Sequence, residues 1–339
     1  MRGNGGRIGA KYTPSDTTAS GIWSLSEAGV YSKQAVWPPL IPALYAFTTA
    51  TFTPGGATFR MGPTLVQARN GITAASGTTW VNDTSYLNTR GAQGGIIIWT
   101  VPKTGTYTID AYGAQGGTAG VYGVAGGLGA RIKGDFSLTK GQKLALVVGQ
   151  QGRADQGSNW GGGGGGGSFV WVDGQTTPML IAGGGGSGGQ GSSATAGGQT
   201  GNNGGAGQNG AAGGTDGYSG NASGICGGGN GQGWYGGNTQ GCGGTTSWAA
   251  VYNDPTGAGG ASSGQYSDGS SSYGVGGFGG GNGAYGGGGG GGGYSGGGSA
   301  GWAYSYYAGG GGSYNIGTNQ TNTGATRSGS GQIIITLVA

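Results

Sequence analysis

The sequence predicts an all-β protein in which antiparallel strands are interrupted by a bundle of polyglycine-II helices. Three observations carry this reading. Short β-branched and aromatic runs, bounded by glycine and proline turns, recur up to residue 182, and a single strand returns at 332–338. Of the 339 residues 97 are glycine, gathered into blocks bracketed by aromatic rather than charged side chains. Helix signals are nearly absent.

Residues 1–42 carry Trp37-Pro38-Pro39 close to their end, and the prolines mark a boundary. A piece this short has a core too small to fold alone, so it is read as an assembly or attachment arm. From 43 to 182 the text is β. Ile96-Ile97-Ile98-Trp99-Thr100-Val101 is a strand, and Thr106 to Tyr112 alternates with period two, as a half-buried strand does. Ala130 to Leu138 and Lys143 to Val148 follow around a Lys140-Gly141 turn. Phe169 to Val172 and Met179 to Ile181 form a candidate hairpin. The last strand, Gln332 to Val338, needs partners that only the earlier sheet supplies. Residues 183–331 are therefore read as an insertion whose two ends must meet.

Seven glycines, Gly161 to Gly167, run directly into the apolar strand Phe169-Val170-Trp171-Val172, and eight more, Gly286 to Gly293, lie between two tyrosines. A polyproline-II chain rises about 3.1 Å per residue with three residues per turn and no internal hydrogen bonds. Its N–H and C=O groups point outward in three directions, and burial requires each to find a partner. Glycine alone lets neighbouring backbones approach on every side. These runs are therefore read as lattice walls, with Gly164 and Gly289 in the interior and the block 197–204 at an edge.

Composition removes several functions. Ordinary disorder predicts high charge and few aromatics, whereas this chain has 9 Trp, 18 Tyr and 6 Phe with 7% charged residues. Residues 1–153 hold 13 of the 14 Lys and Arg against five acids, while Ala154 to Thr326 holds none against five. A mildly acidic glycine-rich region is unsuited to phosphate, so no nucleic-acid partner is expected. Histidine is absent, which excludes Ser-His-Asp and Cys-His catalysis. Nine aspartates satisfy a paired-carboxylate glycosidase by count, but no local motif marks a pair. No enzyme, metal or cofactor is expected, and Asp216, Asp254 and Asp268 read as turn residues. Cys226 and Cys242 are either bridged or two small buried thiols. No apolar run is long enough to span a bilayer, and Met1 to Gly6 lacks the apolar core of an export signal.

Val101-Pro-Lys-Thr-Gly-Thr-Tyr-Thr-Ile-Asp-Ala-Tyr-Gly-Ala-Gln-Gly-Gly117, Gly129-Ala-Arg-Ile-Lys-Gly-Asp-Phe-Ser-Leu138, Leu146-Val-Val-Gly-Gln-Gln-Gly152, the 161–167 run and Leu180-Ile-Ala-Gly-Gly-Gly-Gly186 follow one another in order. This order resembles the extracellular glycine-rich domain of the anaplastic lymphoma kinase and leukocyte tyrosine kinase receptors over about residues 91–339. The resemblance implies a TNF-like antiparallel jelly roll with an inserted polyglycine-II bundle, and it favours a homotrimer. No kinase segment accompanies it, so receptor signalling is not implied. A shorter stretch, Ile8 to Leu25 through Trp37-Pro38, with Thr53 to Leu65, resembles glycine-rich fibre and virion proteins of bacteriophages.

These readings combine into an expected virion structural protein of tail-fibre or adhesin type, released without a signal peptide, or alternatively a capsid-decoration or filament subunit. Residues 1–42 would contact other virion proteins. Trp234, Tyr235, Trp248, Tyr252, Trp302, Tyr304, Tyr306 and Tyr307 are the candidates for contact with a host-surface glycan or protein or with a neighbouring subunit. Flat aromatic faces among Asn, Gln and Ser suit both partners.

Overall fold

The turn at Pro102 joins two strands that enter different sheets. The computed structural model describes residues 43–58, 60–90, 95–120, 123–154, 161–189, 194–209, 211–221, 228–239, 246–248, 274–284, 287–301 and 306–338. The arm at 1–42, Cys226, Cys242, Tyr252, Trp302 and Tyr304 lie outside these, as do Asp254 and Asp268. The chain divides into two compact units, Met1–Ala46 and Phe47–Ala339, and every described strand belongs to the second.

The strands are β1 (Thr49–Phe52), β2 (Ile72–Ala74), β3 (Leu87–Arg90), β4 (Ile96–Thr100), β5 (Gly105–Tyr112), β6 (Gly129–Leu138), β7 (Lys143–Val147), β8 (Ser168–Val172), β9 (Pro178–Ala182), β10 (Gly237–Thr239), β11 (Thr246–Trp248), β12 (Tyr314–Asn315), β13 (Thr318–Arg327) and β14 (Gln332–Leu337). They form two six-stranded antiparallel sheets, ordered β13-β6-β5-β14-β1-β2 and β12-β9-β8-β7-β4-β3, and a separate β10-β11 pair. The last strand does find early partners: β14 lies between β5 and β1, with Ile335 opposite Ile109 and Ala50. The hairpin of β8 and β9 is present, with Phe169 opposite Ile181.

The two sheets pack face to face, and the patterns along their strands explain why. In the first sheet buried and half-buried residues alternate along β5, β6 and β14, so one face meets solvent. Its inner side carries Phe52 and Tyr107, whose rings lie 6.3 and 6.0 Å from that of Trp99 on β4. In the second sheet β7, β8 and β9 are buried almost throughout, as continuous apolar runs require when both faces are covered. Trp234 and Phe278, from the glycine-rich region, pack on its outer face against Ile96, Val147, Phe169 and Trp171.

Glycine-rich segments leave one end of this sandwich. Ser168 at the start of β8 donates from Oγ to the Tyr112 carbonyl at 2.7 Å and accepts from the Gly149 N–H at 3.0 Å. That buried hydroxyl ties together the ends of β5, β7 and β8. Segments 113–128, 148–167 and 183–313 all depart from this end. Within the run 161–167, no residue bonds another residue of the run. Gly163 and Gly166 donate to Arg153 and Gln150, Gly164 and Gly167 to Asn282 and Gly279, and Gly165 to Gly185. Their carbonyls accept in the same rhythm: Gly163 and Gly166 from Gly117 and Ala114, Gly162 and Gly165 from Gly289 and Gly292. Every third residue returns to the same neighbour. The run 287–293 behaves alike: Gly290 and Gly293 donate to Gly229 and Gln232, and the Gly289 and Gly292 carbonyls accept from Ser187 and Gly184. All these bonds fall between 2.7 and 3.2 Å. Both runs are buried, whereas residues 200–203 are exposed.

Three features differ from the expectation. β12 and β13 fall within 183–331 yet belong to the two sheets, so the glycine-rich insertion ends near Gly312 rather than at 331. β13 is polar and exposed along nearly its whole length, so it carries no alternation to read. Segments 113–117 and 149–153, ahead of the expected insertion, bond to the glycine run as well. Finally a short helix, α1 (Leu65–Asn70), is closed by a capping box in which the Thr64 hydroxyl accepts from the Gln67 N–H. The spacing Thr64-x-x-Gln67 is its sequence signal. Among the described residues no helix is long and apolar enough to cross a membrane.

Candidate binding surface

Of the aromatic candidates, the structure separates Trp234 from Tyr235. The two sit at the centre of a turn closed by Gly236 N–H donating to the Gly233 carbonyl at 3.0 Å. Trp234 points inward and is fully buried. It stacks on Phe169 at 6.1 Å, meets Trp171 edge-on at 5.4 Å, and donates from Nε1 to the Thr176 carbonyl at 2.9 Å. The expectation that it contacts a partner is therefore corrected: it is a core residue that anchors the glycine-rich region to the second sheet. Tyr235 points outward and is 40% exposed.

Tyr235 stands in a row of tyrosines. Its ring lies 5.8 Å from Tyr218 and 6.5 Å from Tyr294, and Tyr294 stacks on Tyr314 at 4.6 Å. Tyr218 is 56% exposed, whereas Tyr294 and Tyr314 are half-buried and pack against the second sheet. The row thus descends from solvent to core.

Tyr218, Tyr294 and Tyr314 were not among the residues singled out from sequence. A local signal existed for the first. Asp216-Gly217 is the dipeptide favoured at the centre of a type I′ turn. Both residues have positive φ, 53° and 85°, and Tyr218 N–H closes the turn on the Thr215 carbonyl at 2.9 Å. Gly217 is required twice over, since a side chain there would also strike the Tyr235 ring.

The backbones under the rings are bonded to one another. Tyr235 N–H donates to the Gly217 carbonyl, Trp234 N–H to Tyr294, Tyr294 N–H to Gly312, and Gly296 N–H to Tyr218, at 2.8, 2.8, 2.8 and 3.0 Å. Gly217 N–H donates to Ser295 Oγ at 3.0 Å. Four chain segments that are distant in sequence are therefore locked before any partner arrives.

Tyr306 and Tyr307 are half-buried, and Tyr307 borders a shallow cleft with Leu128 and Ala325. Trp248 ends β11. Among the ring contacts of the described residues, neither Tyr306 nor Tyr307 enters the tyrosine row.

Burial first, then Tyr235, Tyr314 and Asp216, raise the Tyr294 phenol above its ordinary value of 10.0. Burial also raises Tyr107, whose neutral hydroxyl donates a hydrogen bond to the Lys103 carbonyl at 2.6 Å. A raised value in the folded state means that folding favours the neutral phenol. The associated stability is complete below the ordinary value and is lost as pH rises through the folded values. Resistance to denaturant should therefore fall above pH 10.0 as phenolate absorbance grows. Loss of stability well before any phenolate forms would contradict this.

No family model matches the chain. A stretch of 105 residues, 30% of the chain, is 35% identical to the leukocyte tyrosine kinase receptor of Mus musculus and covers 11% of that receptor. The match supports a distant relation to a domain of that receptor and leaves most of the receptor's length uncovered.

Proposed function

We propose that this chain is a structural binding protein of an extracellular particle, a bacteriophage virion protein of the tail-fibre or adhesin type. In this reading the two sheets are a TNF-like jelly roll. The three-residue hydrogen-bonding repeat is that of a polyglycine-II bundle fused to its end. The observation that carries the proposal is the tyrosine row: exposed rings mounted on a scaffold whose backbone is already bonded in place. Preorganisation of this kind reduces the ordering cost of binding. The absence of histidine from the sequence agrees with a binding role rather than acid–base catalysis. The kinase activity named in the matched receptor is not carried over.

Two measurements test this. Antibody raised against the purified chain should label particles in a phage lysate, and label confined to free protein would overturn the virion assignment. The fluorescently labelled chain should adsorb to susceptible bacteria, and Tyr218→Ala with Tyr235→Ala should reduce adsorption at least tenfold. Unchanged adsorption by a folded double variant would remove the tyrosine row from the function.

A further inference from the structure

The chemistry around the two exposed rings narrows what they can hold. Tyr218 and Tyr235 are tilted 44° to each other with centroids 5.8 Å apart, and both lie open to solvent. Two adjacent rings form a platform wide enough to meet more than one flat face of a ligand. The rim carries Thr215 and Asp216, both exposed, with half-buried Ser219 donating from Oγ to the Gly236 carbonyl at 3.1 Å. These groups can exchange hydrogen bonds with hydroxyls at the edge of a bound ring.

The charge pattern points the same way. No Lys or Arg occurs from Ala154 to Thr326, the stretch that supplies all four tyrosines of the row. Arg90 reaches Trp171, behind Trp234, but it is ion-paired with Asp173 at 2.9 Å. Among the described residues, Asp216 is a carboxylate that acts on Tyr294 of the row. A site with an anion at its rim and, among the described residues, no free-standing cation beside it repels phosphate, sulfate and carboxylate groups, which is selectivity by an adverse interaction. An apolar peptide would be poorly matched, since the rings are phenols edged by hydroxyls and a carboxylate.

We infer that Tyr218 and Tyr235 form a carbohydrate platform that takes uncharged hexose chains and rejects acidic ones, with Asp216 setting the charge preference. The inference rests on the surface-binding reading above and names its ligand class. Apolar C–H faces of the sugar stack on the rings while its hydroxyls meet the polar rim. Because no ion pair contributes, affinity should be insensitive to salt.

The test uses the full chain against immobilised neutral glucan, mannan and galactan oligosaccharides, with sialylated and sulfated glycans alongside. Binding to at least one neutral chain is expected, unchanged by added salt. It should fall at least tenfold in the Tyr218→Ala/Tyr235→Ala variant and only slightly in Tyr235→Phe, which keeps the ring. Asp216→Asn should relax the exclusion of acidic glycans, raising their retention relative to the neutral chains. Unfolding curves that match the wild type show that each variant is folded. Retention of acidic glycans alone, or neutral binding that survives loss of both rings, would overturn the inference. Adsorption to bacteria that depends on the rings without any glycan binding would overturn the ligand class but leave the surface-binding reading standing. Absence of both would remove the two together.

Discussion

Gly164→Ala is expected to destabilise the chain by at least the ~1–3 kcal/mol typical of an overpacked core. A methyl group built on Gly164 falls onto the carbonyl oxygen of Gly290, and one built on Gly289 falls onto that of Asn282. Neither neighbour is free to retreat. Gly290 donates to Gly229 at 2.8 Å and accepts from Asn282 at 3.0 Å, so moving it breaks bonds one layer further out. Gly164 itself donates to Asn282 and accepts from Gly277, both at 2.8 Å. Asn203→Ala makes the useful comparison, because Asn203 is exposed and such surface changes stay within about 0.5 kcal/mol. Denaturant unfolding of the two variants should therefore differ clearly. Equal and mild effects would mean that the glycine run does not pack.

Trp234→Ala should cost about 3–5 kcal/mol, the range for deleting a large buried aromatic side chain. The indole is held on three sides, by the Phe169 ring, the Trp171 ring and the Thr176 carbonyl. Trp234→Phe keeps ring contact and gives up the Nε1 hydrogen bond, so it should fall between wild type and alanine. The alanine variant should also weaken whatever binding Tyr235 provides, because Trp234 and Tyr235 share one turn. A loss no larger than that of an exposed residue, measured by equilibrium unfolding, would show that the indole does not anchor the glycine-rich region.

Much of the β-structure is legible because burial writes itself into the side chains. β5 and β14 alternate since one face of their sheet is wet, and β8 and β9 are continuously apolar since theirs is covered twice. Sheet membership is not written in that way. The Pro102 and Lys140-Gly141 turns look like hairpin turns, yet each carries the chain from one sheet to the other. β13 is hidden for the opposite reason. Thr318-Asn-Gln-Thr-Asn-Thr-Gly-Ala-Thr-Arg327 is held by backbone pairing with β6, with almost no burial to select a pattern.

The candidate surface was half legible. Long pure glycine runs do mark places where backbones touch, because at nearly every described position of the two runs a Cβ would collide with a neighbouring backbone. The aromatic interruptions carry no such mark. Trp234 and Tyr235 are adjacent and chemically similar, and only the turn at Gly233 to Gly236 decides that one is core and the other surface. Tyr294 and Tyr314 join the row through tertiary packing over residues far apart in sequence.

Amide hydrogen exchange reads, residue by residue, whether the glycine-rich region is a bonded wall that holds the tyrosines. The N–H groups of Gly163 to Gly167 and Gly289 to Gly293 each donate to a carbonyl in another segment. They should exchange as slowly as those of Val170 and Trp171 in the neighbouring strand, through large cooperative openings. Exchange of these glycines at the rate of an unstructured chain, while β8 remains protected, would contradict the account.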